Sequence, residues 1–258
     1  MADTSGGPPL LGRTALISGS SSGIGAGVAL AFAQAGAAFV IINYPVEAEA
    51  NSAEAVADQV RSLGAQALAV QADVSDEGEV ERLVAAALGA AGRVDILVNN
   101  AGIGHANSVE ELPVATWDRV IGVHLRGTFL LTHAVLPGMY AAGFGRIINT
   151  ASQLAYKGAP GLSAYTAAKG GIISFTRSLA LEIGSRDVRA NCVAPGATRT
   201  PILDAVPPDV LEAIRAGIPI GHLADVDDIV PTYVFLASEA GRHFQGQVLS
   251  PNGGDHFL

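Results

Sequence analysis

Short apolar runs alternate with longer amphipathic ones along almost the whole chain, and this rhythm limits what the chain can fold into. Residues 14–18, 38–43, 67–71, 94–99, 145–151 and 188–193 read as strands, and 24–34, 47–63, 77–91, 116–140 and 164–183 as helices. Strands that are apolar throughout must be covered on both faces, and a helix between successive strands makes them parallel neighbours. The pattern therefore predicts an α/β fold, a doubly wound parallel sheet with helices on both faces. Gly64 and Gly92 stand where two of the helices should stop, and Pro137 should strain the long fourth one. Shorter helices are expected at 208–216 and 226–237, and a last short strand at 247–250.

Nothing divides the chain. With 258 residues, 49% of them apolar, it can bury one large core, and it has neither a linker nor a repeat beyond the strand–helix unit. One domain over 1–258 is expected, with 1–11, rich in Gly and Pro, as a loose N-terminal tail. Residues 197–216 begin with a mixture of Gly, Pro and Thr after a strand end and are expected to form a mobile substrate lid. The net charge of -9 argues against nucleic acid and anionic membranes as partners. The N-terminus lacks the basic start and apolar run of a signal peptide, and charges interrupt every long apolar stretch. Cys192 is the only cysteine and lies in an apparent buried strand, so no intramolecular disulfide can form; a cytoplasmic protein is expected. His133, His222, His243 and His256 have no metal-ligand spacing, and no metal is expected.

The first strand is joined to the first helix by Ser18-Gly19-Ser20-Ser21-Ser22-Gly23-Ile24-Gly25. Glycines there let the backbone approach a pyrophosphate, and a helix N-terminus supplies free amides, as in Rossmann-like folds. The spacing is G-x-x-x-G-x-G, with Val28 where the usual third glycine would stand. The second strand ends at Asn43-Tyr44, with neither the acid that suits an NAD ribose nor the Arg that suits an NADP phosphate. Asn43 can bond either form. The missing carboxylate leans slightly toward NADP, while Glu47 and Glu49 nearby lean toward NAD, so the cofactor is read as NAD(P) with a slight NADP preference. Asp73-Val74 and Asn99-Asn100-Ala101-Gly102 end the third and fourth strands, where each can meet the adenosine.

Tyr165 and Lys169 stand four apart in a helical pattern, so their side chains share a face. An ammonium beside a phenol favours the phenolate, which helps a group of pKa about 10 exchange a proton near neutrality. With the Gly-rich turn and a serine upstream, this supports an oxidoreductase.

Gly19-x-x-x-Gly23-x-Gly25, Asn99-Asn100-Ala101-Gly102, Ser152, Tyr165-x-x-x-Lys169 and Pro195-Gly196 occur in the order and spacing of the short-chain dehydrogenases/reductases, which the chain resembles from about residue 12 to 254. The second strand end and the helix after it are similar to the glucose dehydrogenase and ketoacyl reductase branches. The resemblance implies that Ser152 holds the substrate oxygen and that Tyr165 is its general acid or base. It implies that Lys169 binds the nicotinamide ribose and lowers the tyrosine pKa, and that Pro195, Gly196, Thr198 and Thr200 lie along the cofactor, Thr200 at the nicotinamide amide. It also implies a homotetramer, which the two long apolar helices 116–140 and 164–183 support.

One position departs from the family. His124, in Val123-His124-Leu125-Arg126-Gly127, replaces an Asn that holds a proton-relaying water. Two readings stand: a relay that makes activity sensitive to pH near the ordinary histidine pKa of about 6.5, or a packed, satisfied side chain. The expected reaction is NAD(P)-dependent interconversion of an alcohol and a carbonyl on a small-molecule substrate. A small polyol, sugar or hydroxy-ketone is the first choice, and a hydrophobic carbonyl, suggested by Ile202, Leu203, Val206 and Leu211, the second. The rivals are a non-redox epimerase or lyase on this fold and a non-catalytic nucleotide-binding regulator.

Overall fold

The computed structural model describes residues 7–257. Its strands are β1 Thr14–Ile17, β2 Phe39–Tyr44, β3 Gln66–Gln71, β4 Ile96–Asn99, β5 Gly145–Thr150, β6 Val188–Val193 and β7 Val248–Leu249. They form one seven-stranded sheet in the order β3-β2-β1-β4-β5-β6-β7, and every pairing is parallel. The chain winds outward from β1 to β3, returns to β4 beside β1, and winds outward the other way. Crossovers on opposite sides part between β1 and β4, which opens a crevice at the carboxyl ends of the strands.

The strands are apolar on both faces because both are covered. Successive residues point to opposite sides. Ile17 and Ile42 join Val28, Phe32, Ile229 and Tyr233 in one core, while Leu16 and Ile41 join Leu83, Leu131, Ile147 and Leu179 in the other. The first core is roofed by α1 Gly23–Gln34, α2 Ala50–Ser62 and α9 Val226–Ala237, and the second by α3 Glu77–Ala91, α5 Gly127–Ala142 and α7 Ser163–Ile183. Each large apolar side chain removed from water stabilises the fold by roughly 1.5–3 kcal/mol. Gly27 sets the closeness of α1 and α9: a Cβ there would stand 2.2 Å from Val226 Cγ1.

The expected long helix extends over 114–142 but is not uniform. It consists of α4 Val114–Ile121, a π-helical turn Gly122–Arg126 and α5. The irregularity sits at His124 and not at Pro137, which α5 accommodates within its length. Half of the most apolar window in this stretch is buried inside the fold, as in a core helix. The helix expected at 47–63 opens with a 3-10 turn, Glu47–Glu49, before α2. The strand expected at 247–250 shortens to β7. A short helix, α6 Leu154–Lys157, follows β5, and α8 Pro208–Gly217 lies near its expected place. The loose tail expected over 1–11 needs correction. Leu10 is fully buried and its amide donates to Ala35 O at 2.8 Å, so the chain is tied down from there; 1–6 lie outside the described residues.

Candidate active site

The Gly-rich turn is built to exclude side chains. A Cβ at Gly19 (φ 58°) would lie 2.7 Å from Ala101 Cα, and one at Gly25 would lie 2.3 Å from Gly19 O. Ser18 Oγ accepts the amides of Asn100 at 2.9 Å and Ala101 at 3.1 Å, and Asn100 Nδ2 donates to Gly19 O at 2.9 Å. Ser22 is the N-cap of α1 and makes no side-chain cap, so the first amides of the helix, from Gly23 through Ile24 to Gly25, stay free of one. A close backbone turn leading into free helix amides suits a pyrophosphate. Val28, at the usual third glycine, is fully buried in the core.

Asn100 thus pins the turn with its side chain, while Ala101 packs against Gly19 and Gly102 against the His124 ring. Asn99 looks into the core instead: its Nδ2 donates to Asn149 Oδ1 at 2.8 Å, and Asn149 Nδ2 donates to Thr176 Oγ1 at 2.8 Å. This buried polar chain ties the ends of β4 and β5 to α7.

The end of β2 corrects one expectation. Asn43 is 1% exposed. Its Oδ1 accepts Gly19 N at 3.2 Å, and its Nδ2 donates to Ala72 O at 2.9 Å. The side chain is consumed in holding the turn to β2 and β3 and is not offered to a ribose. Tyr44 is half-buried beside it. At the end of β3, Asp73 accepts from Ser75 N and Ser75 Oγ and pairs with Arg119 at 2.7 Å. Burial pushes its carboxyl up, but these partners outweigh that and leave it below its ordinary value. Val74 is buried and packs on Gly127, where a Cβ would meet Val74 Cγ2 at 2.8 Å.

Across the switch point, the structure brings Ser152, Tyr165 and Lys169 together beyond the end of β5. Ser152 Oγ accepts Leu154 N at 3.1 Å, and its hydroxyl lies near enough to Tyr165 to favour the phenolate. Lys169 is 3% exposed, and its Nζ donates to Thr150 O at 2.5 Å and lies 5.7 Å from the Tyr165 ring centroid. Burial pushes the Lys169 ammonium down to about 7. Burial also pushes the Tyr165 phenol up, with Ser152 pulling part of the way back. Burial outweighs the pull of Ser152, and the phenol stands above its ordinary value.

His124 lies under this group. Its ring meets Tyr165 edge-on, with centroids 5.2 Å apart. Nε2 is 3.0 Å from Ile103 N and 2.9 Å from Ile103 O, so it accepts in one tautomer and donates in the other, while Nδ1 has no partner. Burial, then the nearby Lys169 charge, push its pKa down to about 3. This removes the expected sensitivity near 6.5, because the imidazole stays neutral at any ordinary pH.

The segment after β6 crosses over the turn. Pro195 is buried and its carbonyl accepts Gln153 N at 3.1 Å. Gly196 packs against Asn252 so closely that a Cβ would lie 2.8 Å from its Cα. Thr198 Oγ1 donates to Gly196 O at 3.0 Å, and Thr200 stands over Gly23, where a Cβ would meet its Cγ2 at 3.4 Å. Sequence reasoning missed Asp255. Its carboxylate accepts from Lys157 Nζ at 2.6 Å and from Gln153 Nε2, clamping the C-terminal segment onto α6 next to Ser152. A lone Asp in a terminal segment carries no motif that could have announced it. Cys192, as expected, is a buried strand residue, its thiol pushed up to about 11 by burial.

Comparison with known proteins agrees with this layout. The family model described as Enoyl-(Acyl carrier protein) reductase matches residues 19–256. The chain is 41% identical over 242 residues to (2S)-[(R)-hydroxy(phenyl)methyl]succinyl-CoA dehydrogenase subunit BbsD of Thauera aromatica, covering 94% of this chain and 96% of that one. It matches 3-ketoacyl-(acyl-carrier-protein) reductase of Brucella melitensis, solved with NADH, at 38% identity and a TM-score of 0.88, covering 96% of this chain and 100% of that one. A blue fluorescent protein from a metagenomic library, solved with NADPH, matches at 33% identity and a TM-score of 0.90, covering 96% and 100%. A Gly-rich turn against the β4 end, a serine, tyrosine and lysine gathered beyond β5, and similarity over almost the full length lead to one conclusion: the chain belongs to the short-chain dehydrogenase/reductase family of NAD(P)-dependent oxidoreductases.

Proposed function

We propose that Tyr165 exchanges the proton in an alcohol–carbonyl interconversion on a small polyol, sugar or hydroxy-ketone, with Ser152 holding the substrate oxygen. The observation that carries this reading is the gathering of Ser152, Tyr165 and the buried Lys169 beyond the end of β5, with Lys169 Nζ held on Thr150 O and 5.7 Å from the Tyr165 ring centroid. Ser152 and Tyr165 can both reach one substrate oxygen. With its pKa raised, Tyr165 keeps its proton at neutral pH, which suits donation to a carbonyl oxygen during reduction. Oxidation of an alcohol needs added positive charge near the phenol. Lys169 is the protein's candidate for that charge. His124, neutral and with Nδ1 unpartnered, would hold a water beside Lys169 through that nitrogen, without itself taking up or giving up a proton.

A bound nicotinamide would supply or accept the hydride. Gly19, Ser21, Ser22, Gly23, Ile24 and Gly25 would hold its pyrophosphate. Tyr44, Asp73, Val74, Ala101 and Gly102 would border the adenosine, and Lys169, Pro195, Gly196, Thr198 and Thr200 the nicotinamide end. Asn100 would act by shaping the turn. Residues 197–216 would close over the substrate.

Unpartnered buried polar atoms support a hydroxylated substrate: Gln153 Oε1, Ser163 Oγ and both ring nitrogens of His105 lack hydrogen bonds. Such atoms are costly unless something bonds them. A second reading, an apolar carbonyl, draws on a cavity of about 390 Å³ within the lid segment, where Leu203, Val206, Pro208, Leu211 and Leu223 line it together with Arg199 and Asp204. The Thauera aromatica relative, named for an aryl-bearing acyl-CoA, also favours it. A panel of polyols, hydroxy-ketones and apolar carbonyls, each with both dinucleotides, tests these readings. We expect turnover to be fastest on a hydroxylated member. Faster turnover on the apolar carbonyls would select the second reading, and cofactor binding without turnover on any member would leave a regulator. The buried single thiol suits a reducing, cytoplasmic setting. A homotetramer remains the expected assembly.

A further inference from the structure

The acid that the sequence lacks at the end of β2 is supplied by the fold from a turn further along. Glu49 closes the 3-10 turn after β2 and is the N-cap of α2, yet its side chain does not cap that helix. It reaches back across the crevice edge instead, and its Oε2 accepts the hydroxyl of Ser21 at 2.5 Å. Ser21, 6% exposed, belongs to the Gly-rich turn. The turn is stitched to β2 at the same place: Ser20 N donates to Asn43 O at 2.9 Å, and Asn43 N donates to Ser20 Oγ at 3.1 Å. The Glu49 carboxylate is therefore fixed where β1 and β2 end together, the edge at which a doubly wound fold receives the adenosine ribose.

The cations needed to hold a ribose phosphate are elsewhere. From Thr14 to Val60 the sequence has no Lys or Arg. Arg13 lies near Asp95 and stacks on Phe144 at the opposite end of the sheet. Arg61 is paired with Glu54 and Asp58. Arg119, beyond β3, is paired with Asp73, and Arg126 lies by Glu77. Asn43, the one neutral group expected to serve either cofactor, is consumed internally.

We propose that Glu49, anchored by Ser21, makes this enzyme selective for NAD(H) over NADP(H). The carboxylate can accept from a free ribose hydroxyl and repels a phosphate at that position. This rests on the Gly-rich turn being the dinucleotide site, and it reverses the slight NADP preference read from the sequence.

Binding measured apart from turnover tests it. Wild type, Glu49→Gln and Ser21→Ala are titrated with NADH and NADPH by reduced-nicotinamide fluorescence, at low and high salt, after thermal melts confirm that each is folded. Wild type is expected to bind NADH at least about tenfold more tightly than NADPH, a gap of about 1.4 kcal/mol. Glu49→Gln should close most of that gap by tightening NADPH. Ser21→Ala, which frees the carboxylate to swing away, should close part of it. Added salt should narrow the wild-type gap more than the Glu49→Gln gap. Equal or tighter NADPH binding by wild type, or an unchanged ratio in folded Glu49→Gln, overturns the proposal and leaves the oxidoreductase reading standing. Failure of wild type to bind either dinucleotide overturns both.

Discussion

His124 shows how burial redirects a residue that the sequence marks as unusual. Its imidazole has a pKa of about 3 in the fold against an ordinary 6.5, so the folded side chain stays neutral where the unfolded one takes up a proton. Between these values the unfolded chain binds more protons, and stability falls as pH drops from about 6.5 toward 3, with a slope of up to about 1.4 kcal/mol per pH unit from this residue. His124→Asn removes that contribution. Denaturant unfolding of both proteins over this window should show the wild type losing stability faster, while activity near pH 6.5 carries no limb belonging to His124. Parallel stability profiles would contradict the burial argument. The departure from the family's Asn was legible in the sequence. The lost pH sensitivity was not, because it depends on the loop after β4 folding over the ring, where a Cβ on Gly102 would stand 2.6 Å from His124 Cε1.

At the scale of elements, the strands were legible almost to their ends, because apolar runs between turn signals admit little else. The π-helical turn at Gly122–Arg126 was not. Nothing in the helical period distinguishes it, and close packing of Gly127 on Val74 beside it is a tertiary effect. The long helix and α7 present an uncovered aromatic patch: Phe129 is 47% exposed, stacks on His133 at 5.6 Å and meets Phe175 edge-on at 6.4 Å. Leu181 on α7 is 84% exposed and Val114 at the head of α4 is 75% exposed. Further copies of the chain meeting along these helices would bury this surface, in keeping with the expected homotetramer. Light scattering at micromolar concentration should return four times the chain mass, and Phe129→Glu should lower it. A monomeric wild type would contradict the assignment.

Across the whole molecule, the site draws on segments far apart in sequence, and the sheet order explains how they meet. The Gly-rich turn and the β4 end become neighbours because β1 pairs with β4, and Ser152 follows because β5 lies next to β4. Motif order alone was enough to anticipate this half of the site. The C-terminal clamp through Asp255 and the reach of Glu49 to Ser21 were beyond it, since each joins residues by side-chain geometry with no local pattern. In the proposed reaction Tyr165 exchanges the proton that accompanies hydride transfer between substrate and nicotinamide. The most direct test is Tyr165→Phe, assayed by nicotinamide absorbance on whichever substrate the wild type turns over, with dinucleotide affinity measured alongside. Turnover should fall by roughly 10²–10⁴, the usual cost of losing a positioned acid or base, with cofactor affinity nearly intact because the ring still fills its place. Near-normal turnover by Tyr165→Phe would contradict that role.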